Sequence, residues 1–234
     1  MNRLGDSLGT SLGRKMIVAI TGLGLLGFVI VHMLGNLQVF AGQEALNAYA
    51  AQLHSLGPVL WVARLGLLAM GAVHIGLALR LAAENKAARP VAYAHQGRVQ
   101  STSAARLMTI SGLTILAFLL FHLAHFTWGW THPEHKELVE TLADGTTRPD
   151  VYSMVVLGFQ SPFVSVLYMA AMGLLGWHIL HGVQSVAQTL GLQSPKHRDI
   201  ITKAGYGLAA LLVVGNTIMP LACLLRIVDL PDGN

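Results

Sequence analysis

The sequence predicts an all-α integral membrane protein, a bundle of five transmembrane helices. Of its 234 residues, 53% are hydrophobic and only 11% are charged, whereas a soluble domain carries roughly 25% charged residues. Charge is almost absent from five long stretches, and most basic residues fall in the short segments between them. This pattern is typical of a membrane protein. It also excludes nucleic acid as a partner, because topology explains the net charge of +4.

Five segments are each long enough to cross a hydrocarbon core of about 30 Å, which takes about 20 helical residues. They are approximately Met16–Phe40, Pro58–Leu81, Leu107–Trp130, Pro162–Leu190 and Ala204–Leu225. The first segment is too long for the apolar region of a signal peptide, which spans only about 7–15 residues. We therefore expect it to be retained as a helix, and we expect residues 1–234 to form one transmembrane domain.

Lysine and arginine are distributed unevenly between the two sides of this bundle. Eleven of the fifteen fall on the side of the N-terminus and four on the opposite side. By the positive-inside rule, the N-terminus is expected in the cytoplasm and the C-terminus outside.

Six histidines lie within the apolar segments: His32, His74, His122, His125, His178 and His181. Polar side chains at membrane depth are costly and are a functional hypothesis by default. A hydrogen bond between helices explains a single histidine equally well. Hydrogen bonding between helices is a weaker explanation for four helices that each carry one or two histidines.

The depths of four of these histidines predict two pairs. His32, His74, His122 and His178 lie 15 or 16 residues from the predicted starts of their helices, about 23–24 Å along each axis. Because successive helices alternate in direction, His32 and His122 fall in the outer half, and His74 and His178 in the inner half. Two facing imidazoles suit a six-coordinate haem iron, whereas zinc or copper favours three or four ligands in one cluster. We therefore predict two b-type haems within helices one to four.

Two of the helices carry a second histidine three residues further on. His122 and His125 share a helix face, as do His178 and His181. Depth alone does not choose the iron ligand within each pair. The other member is expected to contact a haem propionate or a backbone carbonyl, as residues around metal ligands commonly do.

Four sequence motifs surround the predicted ligands. They are VHMLGNLQVFAGQEALN around His32, AVHIGLAL around His74, SGLTILAFLLFHL around His122 and WHILHGVQSVAQTLG around His178. The whole chain resembles one known family. The likeness consists of these four motifs, the spacing of 42 residues from His32 to His74, and the number and order of the helices. This family is the cytochrome b membrane-anchor subunit of succinate:quinone oxidoreductases (succinate dehydrogenase and fumarate reductase), in its single-chain, five-helix, two-haem form.

The resemblance implies a specific set of ligands. His32 and His122 would bind the outer haem, and His74 and His178 the inner haem. The first histidine of each i, i+3 pair is favoured as the ligand. The segment Thr131–Tyr152 departs from the family, because it is longer and more acidic.

The resemblance also implies partners and a location. The chain would anchor a flavoprotein subunit and an iron–sulfur subunit to the bacterial inner (cytoplasmic) membrane, and pass electrons between the iron–sulfur subunit and a quinone, preferably menaquinone. Succinate chemistry would belong to the partner subunits. The basic segments Met1–Lys15, Glu84–Arg106 and Gly191–Lys203 are candidates for the docking surface, although topology alone also explains their charge.

A quinone needs a proton donor or acceptor within hydrogen-bond reach of each carbonyl. Gln43, Glu44 and His54 precede the second helix on the predicted outer side and are candidates, with His54 able to carry a proton near neutral pH. Two alternatives stay open. One is a dihaem quinol-reactive subunit of the nitrate reductase or hydrogenase type. The other is a haem-free transporter or scaffold whose histidines bond between helices.

Overall fold

The computed structural model describes residues 10–87 and 107–231, and these residues are mainly helical. The α-helices are α1 (Ser11–Asn36), α2 (Gln43–Ser55), α3 (Pro58–Ala87), α4 (Met108–His122), α5 (Pro133–Lys136), α6 (Val151–Gln160), α7 (Pro162–Thr189) and α8 (Arg198–Leu224). A 3₁₀-helix (Leu37–Ala41) extends α1, and a π-helical turn (Leu123–Thr127) extends α4. Strands β1 (Val139–Thr141) and β2 (Thr147–Pro149) form an antiparallel hairpin.

Five of these helices are long and apolar enough to cross a membrane. They are α1 with its 3₁₀ extension, α3, α4 with its π-helical turn, α7 and α8. The predicted all-helical fold with five long apolar helices is therefore confirmed, and it indicates a multi-pass membrane protein. Large apolar side chains such as Val62 and Phe163 are more than 70% exposed, as expected of a surface that faces lipid.

Two helices begin earlier than the sequence predicts. α1 begins at Ser11 because the hydroxyl of Thr10 accepts a hydrogen bond from the backbone N–H of Gly13 (3.0 Å) and caps the helix. α8 begins at Arg198, and an ion pair of 2.8 Å between Lys203 and Asp199 lies in its first turns. Apolar residues indicate only the part of a helix that suits hydrocarbon, and both helices begin with polar turns that lie outside that part.

Successive spanning helices run in opposite directions. An ion pair of 2.8 Å between Arg14 and Glu84 joins the start of α1 to the end of α3. Met33, Ile179 and Leu212 form a small core between α1, α7 and α8. α3 is peripheral, because it packs mainly on α1 and none of its most apolar 18 residues is buried.

A second core lies at one end of the bundle, where α2, α6, the start of α7 and the end of α8 meet. Val156, Phe159 and Cys223 are at most 2% exposed within it. We call α2, the hairpin and α6 the cap. The sequence identified Thr131–Tyr152 only as a polar segment, whereas it contains α5, the hairpin and the start of α6.

Two of the three basic segments predicted to dock partners lie mostly outside the described residues. These are Met1–Lys15 and Glu84–Arg106, of which residues 1–9 and 88–106 are not described. Gly191–Lys203 forms the connection between α7 and α8 together with the first turns of α8.

Candidate functional site: two layers of histidines

The first layer consists of His74 on α3 and His178 on α7, near the starts of α1 and α4. His74 Nδ1 lies 3.1 Å from the carbonyl oxygen of Val18 and 3.2 Å from the hydroxyl of Thr21, both on α1. An Nδ1–H that donates to these oxygens leaves Nε2 free to bind a metal, as is usual for histidine ligands.

His178 is held in the same way by the neighbouring helix α4. Its Nδ1 lies 3.3 Å from the hydroxyl of Ser111, and its Nε2 has no hydrogen-bond partner in the part of the chain that the structure describes. His74 and His178 are thus each fixed by a hydroxyl of a neighbouring helix. Their predicted pairing at one haem stays a prediction.

A glycine lies beside each first-layer ring. A Cβ atom at Gly22 would stand 3.1 Å from Cε1 of His74, and one at Gly112 would stand 3.4 Å from Cε1 of His178. Both spacings are tight for carbon atoms, so glycine lets each ring approach the backbone of the neighbouring helix. Each first-layer histidine thus meets one hydroxyl and one glycine that are adjacent in sequence.

Sequence reasoning missed Thr21 and Ser111 as contacts of the first layer. A hydroxyl in an apolar helix commonly bonds to its own backbone, and Thr21 also donates to the carbonyl of Ile17 (2.7 Å). A signal was nevertheless present. Thr21-Gly22 precedes His32, and Ser111-Gly112 precedes His122, with ten residues from the glycine to the histidine in both cases.

The second layer consists of His32 on α1 and His122 on α4. Their ring centroids are 5.8 Å apart, and the ring planes are nearly perpendicular, at 86°. Two imidazole nitrogens that share one metal at about 2 Å each would place the ring centroids about 6 Å apart. The observed spacing of the two rings fits this arrangement.

The hydrogen bonds of the second layer differ from those of the first. Nδ1 of His122 lies 3.3 Å from the hydroxyl of Tyr168 on α7, and its Nε2 has no hydrogen-bond partner within residues 10–87 and 107–231. Nε2 of His32, by contrast, lies 3.1 Å from the amide nitrogen of Asn36. A metal bound at Nε2 of His32 would have to replace this hydrogen bond.

The two remaining histidines of the helices lie close to the predicted ligands. His125, in the π-helical turn, is only 4% exposed, and its Nδ1 lies 3.1 Å from the hydroxyl of Tyr168. The phenol of Tyr168 therefore contacts both His122 and His125. His181 is half-buried on α7, one turn beyond His178. The predicted supporting roles of His125 and His181 around a haem stay predictions.

Several glycines of the histidine-bearing helices have open space beside them. A Cβ atom would meet no other atom within 4 Å at Gly27, Gly71, Gly76, Gly173 or Gly182, on helices α1, α3 and α7. His32 is exposed on an apolar helix, where an uncovered imidazole would be costly in lipid. The binding of one haem in each layer stays a prediction.

The three residues predicted to bind a quinone do not converge. Gln43 donates a hydrogen bond to Asp150 (2.8 Å), and Glu44 accepts one from Arg148 (2.6 Å). His54 is exposed and lies ten residues beyond Glu44 on α2, about 15 Å along the helix. Gln43 and Glu44 therefore serve as contacts between α2 and the hairpin region of the cap.

Asn47 and Arg148 organise the acidic residues of the cap. The amide nitrogen of Asn47 donates to Glu140 (2.8 Å) and Asp150 (2.9 Å), and its oxygen accepts from the N–H of Tyr152 (2.8 Å). Arg148 pairs with Glu140 at 2.7 Å. The acidic residues that distinguish this segment thus join the hairpin and α6 to α2.

These contacts also set the protonation of two cap carboxyls. The hydrogen bond from Arg148 is the main reason that the pKa of Glu140 lies below its ordinary value. Burial by itself would raise the pKa of Asp150, but hydrogen bonds from Ser153, Asn47 and Gln43 together outweigh it and lower the pKa. Both carboxylates are therefore charged at neutral pH and can bind their partners.

Comparisons with known proteins add no relative: the chain matches no protein-family model, no curated protein and no solved structure.

Proposed function

We propose that this chain is the membrane-anchor and electron-transfer subunit of a succinate:quinone oxidoreductase, and that it binds two b haems. The observation that carries the proposal is that the rings of His32 and His122 lie 5.8 Å apart, while His74 and His178 are each fixed by a hydroxyl of a neighbouring helix. The order of these four histidines along the chain matches the family that the four histidine motifs resemble.

In this proposal the side chains bind and orient the cofactors. Thr21 and Ser111 hold a proton at Nδ1 of His74 and His178, which keeps the Nε2 lone pairs available. Tyr168 does the same for His122. A haem bound in each layer supplies one-electron chemistry. The apolar helices exclude water from both layers.

The spacing of the layers supports electron transfer across the bundle. Gly22 touches the first layer, and His32, in the second, lies ten residues further along α1, which is about 15 Å. The same spacing separates Gly112 from His122 on α4. Two cofactors at these heights make a path from one face of the membrane to the other.

The proposed complex has a defined orientation and defined partners. The basic side, with the N-terminus and the first layer, faces the cytoplasm of a bacterium and docks the iron–sulfur subunit, which in turn holds the flavoprotein subunit. A quinone, for which we propose menaquinone, reacts near the second layer. An apolar groove beside Met33, Leu37 and Phe40, between the end of α1 and α8, suits its isoprenoid tail.

Succinate itself provides the discriminating experiment. Native membranes that contain the protein are treated with succinate and then with dithionite, and the b-type α-band is recorded after each addition. The proposal predicts that succinate reduces part of the band and that the purified chain carries flavoprotein and iron–sulfur subunits with it. A band reduced by dithionite alone, with other partners, would favour a quinol-reactive subunit of another redox complex. The absence of any band would leave the haem-free alternative.

A further inference from the structure

A second group of histidines lies just beyond the end of α4, apart from the four predicted iron ligands. The chain reverses after the π-helical turn, where Gly129 adopts a positive φ of 70° and the N–H of Trp130 donates to the carbonyl of Ala124 (2.8 Å). This reversal places α5 over the π-helical turn. As a result, the ring centroid of His132 lies 6.0 Å from that of His125 and 4.8 Å from that of His135.

Three side chains of this group converge on one point. His132, Glu134 and His135 each offer one ligand atom, and all three atoms lie within 4.8 Å of one another. A carboxylate oxygen of Glu134 lies 3.2 Å from Nδ1 of His132 and 3.9 Å from Nε2 of His135. Two imidazoles and one carboxylate form a donor set that zinc commonly accepts.

An independent feature of His125 also indicates a ligand. Its ring is only 4% exposed and lines the same small cavity as His132 and His135. Nδ1 of His125 contacts the hydroxyl of Tyr168, while its buried Nε2 has no hydrogen-bond partner among the described residues. Buried polar atoms without partners are rare and costly. A metal on Nε2 would satisfy this atom, with the proton held on Nδ1.

We propose that His125, His132, Glu134 and His135 form a zinc site that fastens α5 to the end of α4. The ammonium of Lys136 also lines the cavity, but it is directed to the carbonyl of Phe126 at 3.4 Å. The site does not depend on the proposed haems. It does adjoin them, because Tyr168 contacts both His125 and the second-layer ligand His122.

The test uses the full chain, purified in detergent without a polyhistidine tag, stripped with a chelator and titrated with zinc chloride. We expect one zinc per chain by elemental analysis. The double variant H132A/H135A should bind zinc at least 100-fold more weakly. The matched control H54A/H197A, which removes two exposed histidines elsewhere, should bind like the wild type. Equal zinc affinity in both double variants would show adventitious binding only and would overturn the proposal.

Zinc K-edge X-ray absorption of the wild-type protein provides a second readout that does not depend on whether the variants fold. It is specific to zinc, so haem iron does not interfere. The proposal predicts imidazole ligands at about 2.0 Å together with a carboxylate oxygen. The variant H125F retains an aromatic ring in the π-helical turn and should show one imidazole fewer. A shell of oxygen ligands alone in the wild-type protein would contradict the site.

Discussion

The histidines of both layers lie about equally far from the predicted starts of their helices, yet their rings make different hydrogen bonds. In the first layer, each Nδ1 contacts a hydroxyl of the neighbouring helix, each ring lies against a glycine, and neither Nε2 has a hydrogen-bond partner among the described residues. In the second layer, the rings of His32 and His122 contact each other, and Nε2 of His32 is hydrogen-bonded to Asn36. The rings of the first layer are therefore already oriented through Nδ1, whereas a metal at Nε2 of His32 would have to replace a hydrogen bond. On this basis we expect the first-layer haem to bind more tightly.

The largest expected effect is the loss of one haem. H74A or H178A should remove the first-layer haem and leave the second, and H32A or H122A should do the reverse. A redox titration of the α-band would measure this loss, because one of the two haem components should disappear in each variant. H197A, at an exposed position, should retain both components. Loss of both haems from a chain that still folds would show that the layers are not independent.

A large side chain at Gly22 should reach the first layer alone. In G22L, even the first added carbon would stand 3.1 Å from the ring of His74, so the ring must move away from α1. We expect most of the first-layer haem to be lost while the second remains, as measured by haem content and redox titration. G66L is the matched control, because a Cβ atom at Gly66 meets nothing within 4 Å. An equal loss in both variants would make the effect a general one on packing.

Removing the hydroxyls that contact His74 and His178 should lower haem affinity moderately, and by a different amount for each histidine. Removing a residue that supports a metal ligand typically lowers affinity about 10- to 100-fold. We expect S111A to approach this range. T21V should have a smaller effect, because the Val18 carbonyl still contacts His74 Nδ1. Titration of haem into the haem-free protein would measure both variants, and the opposite order would refute the assigned contacts.

Replacing Asn36 should have the smallest effect on haem affinity. Whether the affinity rises or falls is the informative result. A hydrogen bond is worth about 0.5–1.5 kcal/mol net. N36L frees Nε2 of His32 and should therefore tighten second-layer haem binding by about 2- to 10-fold. First-layer binding should not change. Weaker second-layer binding in N36L would mean that the amide supports the bound haem instead of competing with it.

The sequence predicted the five long helices well, because apolar stretches of this length have few other uses. It did not predict the ends of α1 and α8, where Thr10 and the Asp199–Lys203 pair extend the helices through polar residues. The cap was also missed. Asn47 and Asp150 are 103 residues apart in the chain, and no local pattern indicates that their side chains meet.

The candidate site was predicted in part for a similar reason. Histidines in apolar helices are conspicuous, and their depths indicated which of them would lie near one another. The contacts of Thr21 and Ser111 depend on the rotation of each helix about its axis, which depth does not specify. Tyr168 was missed because a tyrosine in an apolar helix has many ordinary roles, and only the π-helical turn brings both His122 and His125 to its hydroxyl.

The number of haems per chain distinguishes a two-haem anchor from a haem-free membrane protein. The purified protein would be assayed as its pyridine haemochrome against protein concentration from quantitative amino-acid analysis. We expect two b-type haems per chain in the wild type and none in the double variant H32A/H178A, which removes one proposed ligand from each layer. A wild-type protein without haem, or a double variant that keeps both haems, would contradict it.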